Sequence, residues 1–481
     1  MLLIGLWFYI CRKNTAENFA VADRSLTAWP LGLSIFASYI SSMAFFGLPG
    51  RAYMSNCELL VAYLAFPFAA FVVVKYIVPF YRAQKDICAY THLARRFGRW
   101  ASLYATFFYI LSQIVYMGTI FYFFSIVIGA LTDLNGLLIL LMTGATVVVY
   151  TSLGGLKAVV YSDVVQAGLI ILGVIVCAVW VVAKVPGHLG EIVMTGLEFD
   201  KFSLGDFKFS LTSQNAWLRF IVGFVTNIAI LSFSQAIVQR YYAAKTTRDV
   251  KKSLGIVSVL FIGTIILLYF IGIGLFVFYQ SNSSIIPDSL LAVDDGTVLP
   301  YFIFTEMPIG IKGLILTCVL AATMSTVDTM INSISTTIYS EIYKPFIEKP
   351  YHRKRPLFVL YIISCITGVV SIGVAMLFSP KESVLEVMHT VAGISSGGMF
   401  GLFLLGFISK KIENVPAMIA TAVGTVVIAW VGVTMYLPAS LQLPVHPILS
   451  LFLGTVFIVV LGFLLTGLLV KFRKWTITSR Y

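Results

Sequence analysis

The chain has 481 residues, of which 59% are hydrophobic and 11% are charged, and its formal net charge is +12. Soluble domains carry roughly 25% charged residues. A soluble protein with this composition would expose large apolar patches, so that class is excluded. Most of the 33 Lys and Arg residues fall in alternate loops between apolar stretches. We therefore attribute the net charge to membrane orientation, with the basic loops in the cytoplasm, and expect no nucleic-acid partner.

A membrane-spanning helix needs about 20 mostly apolar residues. The sequence predicts such spans near 26–53, 58–81, 101–131, 135–150, 157–183, 217–238, 254–279, 311–340, 357–378, 387–408, 415–436 and 447–470. Ahead of them, the apolar stretch Met1–Cys11 is too short to span comfortably, and its basic residues Arg12 and Lys13 follow it. A signal peptide has its positive charges before the apolar run, so we expect a truncated first helix.

The spans fall into two blocks of five, at 26–183 and 216–408. Because five is odd, the second block enters the membrane in the opposite orientation, as in inverted-repeat transporters. The remaining segments are predicted to be an N-terminal helix and cytoplasmic loop (1–25), an extracellular loop (184–215), and two further spans with a short tail (409–481). The short tail argues against an attached sensor module.

The first long span is interrupted. It contains Gly32, a small and hydroxyl-rich run at 37–42, and the Gly-Leu-Pro-Gly sequence at 47–50. One interpretation is a kinked helix packed against its neighbours. The other is a broken helix that coordinates ions, because unwound backbone at membrane depth is tolerated where it lines a cavity or is buried in protein.

Two carboxylates, Asp163 and Asp328, lie within apolar spans. A charge at bilayer depth costs at least about 2.5 kcal/mol, so each needs a cation, a basic side chain or a proton. We find no basic residue in mid-span to pair with them, and Lys75 and Arg219 near helix ends are imperfect candidates. Burial in the protonated state and a cation site both remain open.

The neighbours of Asp328 favour a cation. Ser325, Asp328, Thr329 and Asn332 follow the spacing that places side chains on one helical face. Hard cations prefer such oxygen ligands, although a hydroxyl stripe can also join helices by hydrogen bonds.

Other chemistries lack a motif in this sequence. There is no GxxxxGK[ST] loop, which excludes a recognisable ATP-driven pump. The six cysteines form no CxxC pair or Cys/His cluster, so neither a disulfide framework nor a zinc site is indicated. We find no convergent His, Asp or Ser group of the kind a membrane enzyme would need.

Four stretches, SLTAWPLGLSIFASYISSMAFFGLPG, TSLGGLKAVVYSDVVQ, SQAIVQRYYAAKT and AATMSTVDTMINSIST, resemble the sodium:solute symporter family of Na⁺/glucose, Na⁺/proline and Na⁺/sialic acid transporters. The resemblance covers nearly the whole chain, and PYFIFTEMPIGIKGLI is most similar to the bacterial sialic acid branch. It implies an all-α membrane protein with a LeuT-like core of two inverted five-helix repeats and extra flanking helices.

The resemblance also implies where Na⁺ binds. The main site would use the carbonyls of Ala37, Ile40 and Ala322 and the hydroxyls of Ser325 and Thr326. A second site would use Asp163, Ser325, Asp328 and Thr329. The sialic acid branch has a serine in place of Asp328. Two carboxylates at such a short distance from each other need a cation between them. We therefore expect Asp163 and Asp328 to share a Na⁺.

By the same resemblance the solute pocket is lined by Ser41, Ser42, Tyr63, Tyr116, Asn227 and Phe233. Where the chain has Tyr116, the sialic acid branch has an arginine that binds the carboxylate of its substrate. A tyrosine offers one hydroxyl and a ring face. These residues therefore favour a neutral sugar or polyol.

The sequence thus predicts a Na⁺-coupled secondary active symporter in the plasma (inner) membrane, with one or two Na⁺ as coupling ions. It would import a small polar organic solute (a sugar, a polyol or a sugar acid such as sialic acid) by alternating access, as a lipid-embedded monomer without enzymatic activity. Two alternatives remain: a proton-coupled solute transporter, and a Na⁺ symporter of monocarboxylates or amino acids.

Overall fold

The computed structural model describes residues 15–84, 86–132, 134–208, 215–281, 295–348, 356–378, 384–434 and 449–478, together with Trp7 and Ile10. The predicted truncated helix at 1–11 therefore lies almost entirely outside the described residues. Within the described ranges the protein is helical, apart from short turns and one isolated bridge between Leu26 and Ala244.

The helices are α1 (Ala16–Val21), α2 (Ala28–Tyr39), α3 (Ser42–Met54), α4 (Leu60–Leu64), α5 (Phe66–Arg82), α6 (Thr91–Phe97), α7 (Arg99–Thr132), α8 (Gly136–Lys184), α9 (His188–Glu198), α10 (Ala216–Phe233), α11 (Gln235–Ala243), α12 (Thr247–Ser281), α13 (Val298–Glu306), α14 (Ile309–Ile338), α15 (Lys344–Phe346), α16 (Pro356–Leu377), α17 (Val384–Ile408), α18 (Asn414–Val433) and α19 (Ser450–Thr478). A π-helical turn at Tyr339–Tyr343 joins α14 to α15.

Within the described ranges, nine helical segments are long and apolar enough to cross a membrane, and α2 with α3 forms one further span bent by 57°. Two shorter apolar helices lie at Gly136–Val149 and Ser395–Ile408. In chain order these segments coincide with the stretches predicted from the sequence. The first predicted span is broken, so the simple kinked-helix interpretation is replaced by two helices.

Two predicted spans, 135–150 and 157–183, run together as the long helix α8, which is kinked at Gly155. Gly155 has φ +63°, a conformation that L-residues rarely adopt, and a Cβ there would lie 3.0 Å from the ring of Phe19. Only glycine fits this combination of positive φ and close packing.

The centre of the bundle is α14, which packs most extensively along α8. Every residue from Ala321 to Thr337 is buried, although this stretch is rich in Ser and Thr. A helix buried on all sides lies in the interior of a protein. Since α2 contacts α8, α12 and α14, the broken span also lies at the centre of the bundle.

The first helix of the second block is broken as well. Helix α10 ends at Phe233 and α11 begins at Gln235, with Ser234 between them at φ −64° and ψ 118°. The predicted span 217–238 is continuous here, so this second break is a difference from the sequence prediction. It falls in the helix that corresponds to the first broken span.

Candidate ion and solute site

The break between α2 and α3 is the first element of the site. Ile40 has φ −102° and ψ 94°, and the Ser41 hydroxyl caps α3 by accepting the Ala44 N–H at 3.4 Å. The last carbonyls of a helix have no partner within that helix, and they form the negative end of its dipole. Ala37 and Ile40, both fully buried, therefore hold carbonyls at a point in the bundle that attracts cations.

Helix α14 faces this break with its hydroxyl groups. Ser325 Oγ lies 2.9 Å from the Ala37 carbonyl and 3.0 Å from the Ala322 carbonyl. Thr326 Oγ1 lies 3.1 Å from the same Ala322 oxygen. The structure thus brings together four of the five residues predicted for the main Na⁺ site, and the fifth, Ile40, lies at the break itself. We refer to these five residues as the neutral cluster, because none of them carries a charge.

A second cluster lies about one helical turn away and is charged. Arg240 on α11 forms an ion pair with Asp163 on α8, with Arg240 Nη2 3.0 Å from Asp163 Oδ2 and both side chains no more than 1% exposed. Arg240 Nε donates to Ser34 Oγ at 2.8 Å, and Ser34 Oγ donates to the same Asp163 oxygen at 2.5 Å. Arg240 Nη2 also reaches Thr329 Oγ1 at 2.7 Å.

The expectation that no basic residue pairs with a mid-span carboxylate is therefore wrong for Asp163. Arg240 follows the predicted span 217–238, and the charge pattern alone counts it among the basic residues of a cytoplasmic loop. In the structure, however, all nine residues of α11 are buried. The two basic residues considered from the sequence lie elsewhere: Arg219 pairs with Glu58 at 2.7 Å, and Lys75 Nζ lies 5.2 Å from the ring of Tyr76. The sequence does contain a signal that Arg240 is buried. Most of its sequence neighbours are apolar or aromatic, and the Lys-rich loop begins only at Lys245.

The hydroxyl and carboxylate stripe of α14 is buried over its whole length. Asp328 is 0% exposed and lies next to Thr329, whose hydroxyl contacts Arg240. One turn further on, Asn332 Oδ1 accepts from Gln239 Nε2 at 3.0 Å, so this end of the stripe does join helices, as the second interpretation held. The stripe therefore takes part in three different contacts: Ser325 belongs to the neutral cluster, Thr329 to the charged cluster and Asn332 to a contact that joins two helices.

The residues predicted for the solute pocket are brought together in part. Ser41 and Ser42 lie buried at the break, and the Tyr116 side chain lies beside Ser41 and near Tyr63. By contrast, Asn227 Nδ2 donates to Gly223 O on its own helix at 2.8 Å. Phe233 packs against Phe400 on α17, with ring centroids 6.0 Å apart.

A broken helix whose freed carbonyls face hydroxyl groups in the middle of an apolar bundle is the arrangement of a membrane transporter with a central ion site. Covalent chemistry is not required by any of these contacts. The geometry therefore defines the class as a secondary transporter, in which a bound ion and a bound solute share one buried region.

Comparison with known proteins agrees with this class. The profile of the sodium:solute symporter family matches residues 19–424. The chain is 29% identical to the sodium/sialic acid symporter SiaT of Proteus mirabilis over 433 residues, covering 89% of this chain and 86% of that protein. It is also 29% identical to the human sodium/iodide cotransporter over 460 residues, covering 92% of this chain and 70% of that protein.

A solved structure of a Na⁺-coupled sialic acid symporter, in a substrate-bound outward-open state, superposes with a TM-score of 0.88 at 27% identity and covers 97% of this chain and 95% of that one. The chain belongs to the sodium:solute symporter family. It is a multi-pass plasma-membrane protein with a LeuT-like fold, and it imports a small solute together with Na⁺.

Proposed function

We propose that this protein imports a neutral sugar or polyol together with two Na⁺ ions, as a monomer, and that a sugar acid is the second candidate for its solute. The observation that supports Na⁺ coupling at these residues is the 2.9 Å contact between Ser325 Oγ and the Ala37 carbonyl. This contact joins the broken span to α14, the most buried of the long membrane-spanning helices within the described residues. The proposed transport pathway lies among the helices of one chain, which supports transport by a monomer.

In this proposal one Na⁺ binds the neutral cluster. Carbonyl and hydroxyl oxygens are the ligands that hard cations prefer. Because Ala37 and Ile40 lie on one side of the cluster and Ala322, Ser325 and Thr326 on the other, a cation between them links the broken span to α14. We propose that Na⁺ thereby orders the break, which carries Ser41 and Ser42, before the solute binds.

A second Na⁺ would bind near the charged cluster, with Asp163, Ser325, Asp328 and Thr329 as its ligands. Within the described residues, the charged side chains that are at most 1% exposed are Asp163, Arg240 and Asp328. Their charges sum to −1, because Arg240 offsets one of the two carboxylates. One monovalent cation would neutralise the remainder, which is why we propose two Na⁺ ions for the whole protein and not three.

The solute class follows from the six residues proposed to line the pocket: Ser41, Ser42, Tyr63, Tyr116, Asn227 and Phe233. They supply hydroxyl, amide and aromatic groups, and no basic side chain is among them to bind a carboxylate bidentately. Aromatic faces with a few polar groups suit the apolar face and the hydroxyls of a sugar. Because the chain is similar to sialic acid symporters, a sugar acid is the second candidate for the solute.

Coupling follows from shared structure. If Na⁺ orders the break, the solute no longer has to do so, and by reciprocity the solute strengthens Na⁺ binding by the same factor. Each Na⁺ moved inward also gains about 2.3 kcal/mol per 100 mV of membrane potential.

The experiment is a thermal-stability panel on the purified protein. Sugars, polyols, sialic acids, monocarboxylates and amino acids are each tested in NaCl and in KCl at equal ionic strength. A ligand that binds only the native state raises the unfolding temperature, so we expect stabilisation by a sugar or polyol only in Na⁺. Stabilisation by a monocarboxylate or an amino acid would show that the proposed solute class is wrong. Uptake driven by a pH gradient without Na⁺ would contradict the proposal that Na⁺ is the coupling ion.

The matched test of the neutral cluster is Ser325→Ala, with Ser371→Ala as its control. Both hydroxyls are buried and both donate to a carbonyl one helical turn away on their own helix, but Ser371 lies on α16, outside both clusters. We expect Ser325→Ala to raise the Na⁺ concentration for half-maximal uptake about tenfold or more, as the loss of one metal ligand does. Equal Na⁺ dependence in the two variants would contradict the site.

A further inference from the structure

The buried face of α8 contains an additional polar residue, Gln166, that neither proposed Na⁺ site includes. Along this helix Val159, Asp163, Gln166, Ile170 and Cys177 recur at the spacing of a single helical face, and none is more than 1% exposed. Such a stripe faces the interior of the bundle.

Two contacts show which elements pack against this buried face of α8. Gly173 lies one stripe position before Cys177, and a Cβ at Gly173 would lie 2.6 Å from the Cβ of Cys318 on α14 and 3.4 Å from the ring of Phe45 on α3. At the other end of the stripe, Arg240 joins Asp163 to Thr329 on α14, at 3.0 Å and 2.7 Å. The stripe therefore faces α14 and the broken span.

These two contacts also fix the register of the two helices, which run antiparallel. Moving from Gly173 towards Asp163 on α8 corresponds to moving from Cys318 towards Thr329 on α14. Gln166 lies seven residues from Gly173, and Ser325 lies seven residues from Cys318, so both have moved about 10 Å along their axes. Gln166 is therefore at the depth of Ser325, between the neutral and the charged clusters.

Both amide atoms of Gln166 are buried without a hydrogen-bond partner among the described residues, and so is Asp163 Oδ1, one turn away. The amide groups of two other buried glutamines in the bundle do have hydrogen-bond partners. Gln235 Oε1 accepts the Ala89 N–H at 2.7 Å and its Nε2 donates to Ile87 O at 2.9 Å. Gln239 Nε2 donates to Ala20 O at 2.6 Å and to two side chains of α14.

Buried polar groups in proteins almost always have a partner, and an exception requires an explanation such as an ion or a water molecule. Here three unpartnered atoms lie within one turn of a single helix face, beside the residues proposed to bind Na⁺. A glutamine oxygen and a carboxylate oxygen are both suitable ligands for a hard cation.

We propose that Gln166 is a Na⁺ ligand, with its Oε1 and Asp163 Oδ1 binding the ion of the second site at the depth of Ser325. This inference rests on the proposed Na⁺ coupling and adds to it. Arg240 and Ser34 hold Asp163 Oδ2, which leaves Oδ1 and the Gln166 amide to the ion. Arg240 thus fixes the carboxylate while Gln166 supplies a neutral oxygen without adding another buried charge.

The test uses Gln166→Met, which keeps the size of the side chain and removes both polar atoms, and Gln166→Glu, which keeps the oxygen and adds a negative charge. The control is Thr421→Val, which removes a buried hydroxyl on α18 that also has no partner among the described residues. The probe is Na⁺ alone: the unfolding temperature of the purified protein is titrated with NaCl against choline chloride at constant ionic strength.

We expect Gln166→Met to raise the half-maximal Na⁺ concentration about tenfold. Gln166→Glu should lower it, because an added carboxylate at the ion increases the attraction for a cation, while Thr421→Val should remain within about twofold of the wild type. A purely structural role would lower the unfolding temperature of both Gln166 variants in choline chloride and leave the Na⁺ midpoint unchanged, and that result would overturn the inference. If Gln166→Met does not fold, an unchanged Na⁺ midpoint in Gln166→Glu would overturn it, because a carboxylate at a ligand position has to alter the affinity for the ion.

Ser325→Ala, measured in parallel, separates the two proposals. A shifted Na⁺ midpoint in Ser325→Ala with an unchanged one in Gln166→Met would reject only the role of Gln166. No stabilisation by Na⁺ in any variant or in the wild type would reject the proposed function itself.

Discussion

The neutral and charged clusters lie about one turn apart along α2 and α14, and the charged cluster also includes Asp163 of α8 and Arg240 of α11. They bury polar groups in opposite ways. At Ala37 and Ser325, carbonyls and hydroxyls meet without a formal charge. At Ser34, Asp163 and Thr329, the carboxylate already has a permanent cation, Arg240. A group of neutral oxygens can exchange an ion at a modest cost in free energy. Removing one partner of a buried ion pair, by contrast, strongly destabilises the protein, because the other charge is left uncompensated. The neutral arrangement suits a site that fills and empties in each cycle. In the charged cluster the Arg240–Asp163 pair suits a fixed structural joint, beside which the proposed second ion would bind.

The largest effect expected from this difference is at Arg240. Arg240→Met leaves the buried Asp163 without its cation, and breaking a buried ion pair in this way typically costs about 3–5 kcal/mol. We expect loss of the folded, monodisperse protein, measured by size-exclusion chromatography and thermal unfolding in detergent.

The control for Arg240→Met is the double variant Arg240→Met with Asp163→Asn, which removes both charges and should recover most of the folded protein. If Arg240→Met alone were as stable as the wild type, the charged cluster would not be a structural joint, and the contrast with the neutral cluster would be lost.

A smaller, functional effect is expected at Asp328. Asp328→Asn changes the sum of the deeply buried charges from −1 to zero, so the charged cluster no longer favours an additional cation. We expect the Hill coefficient for Na⁺ in uptake to fall from near two towards one, while the protein stays folded. An unchanged Na⁺ affinity and Hill coefficient would sink the proposed second site.

The matched control for Asp328→Asn is Glu341→Gln. Glu341 is also a buried carboxylate, 5% exposed, but it accepts from Thr91 Oγ1 at 2.5 Å in a contact between α6 and the π-helical turn. It should change stability without changing the Hill coefficient.

The contrast between the clusters also explains what the sequence could and could not predict. The break at 37–42 and the stripe on α14 were visible because small, hydroxyl and carboxylate residues are unusual in lipid-facing helices. Arg240 was missed because basic residues near span ends are normally read as loop markers, and its partner Asp163 is 77 residues away. The break at Ser234 and the unpartnered amide of Gln166 depend on tertiary packing, which local sequence composition does not predict.

A weak, pH-dependent effect is expected where a titratable group lies at the end of the bundle, outside both clusters. His92 on α6 lies edge-on to Phe80, with ring centroids 4.7 Å apart. Burial, together with the positive charges of the nearby Arg95 and Arg96, lowers the pKa of His92 to about 4. The ordinary pKa of histidine is about 6.5, so between pH 6.5 and pH 4 the unfolded chain binds more protons than the folded one. The contribution of His92 to stability is therefore fully present above pH 6.5 and is lost as the pH falls towards 4.

The variant that tests this effect is His92→Gln, which removes the titration and keeps a polar side chain. We expect the unfolding temperature of the variant to fall less steeply than that of the wild type between pH 6.5 and pH 4.5, with little difference above pH 7. The Na⁺ dependence of uptake at pH 7 should be the same in both proteins, because His92 lies outside both ion clusters. If His92→Gln instead changed the Na⁺ midpoint at pH 7, ion binding would extend to this end of the bundle, and the confinement of Na⁺ to the two clusters would be wrong.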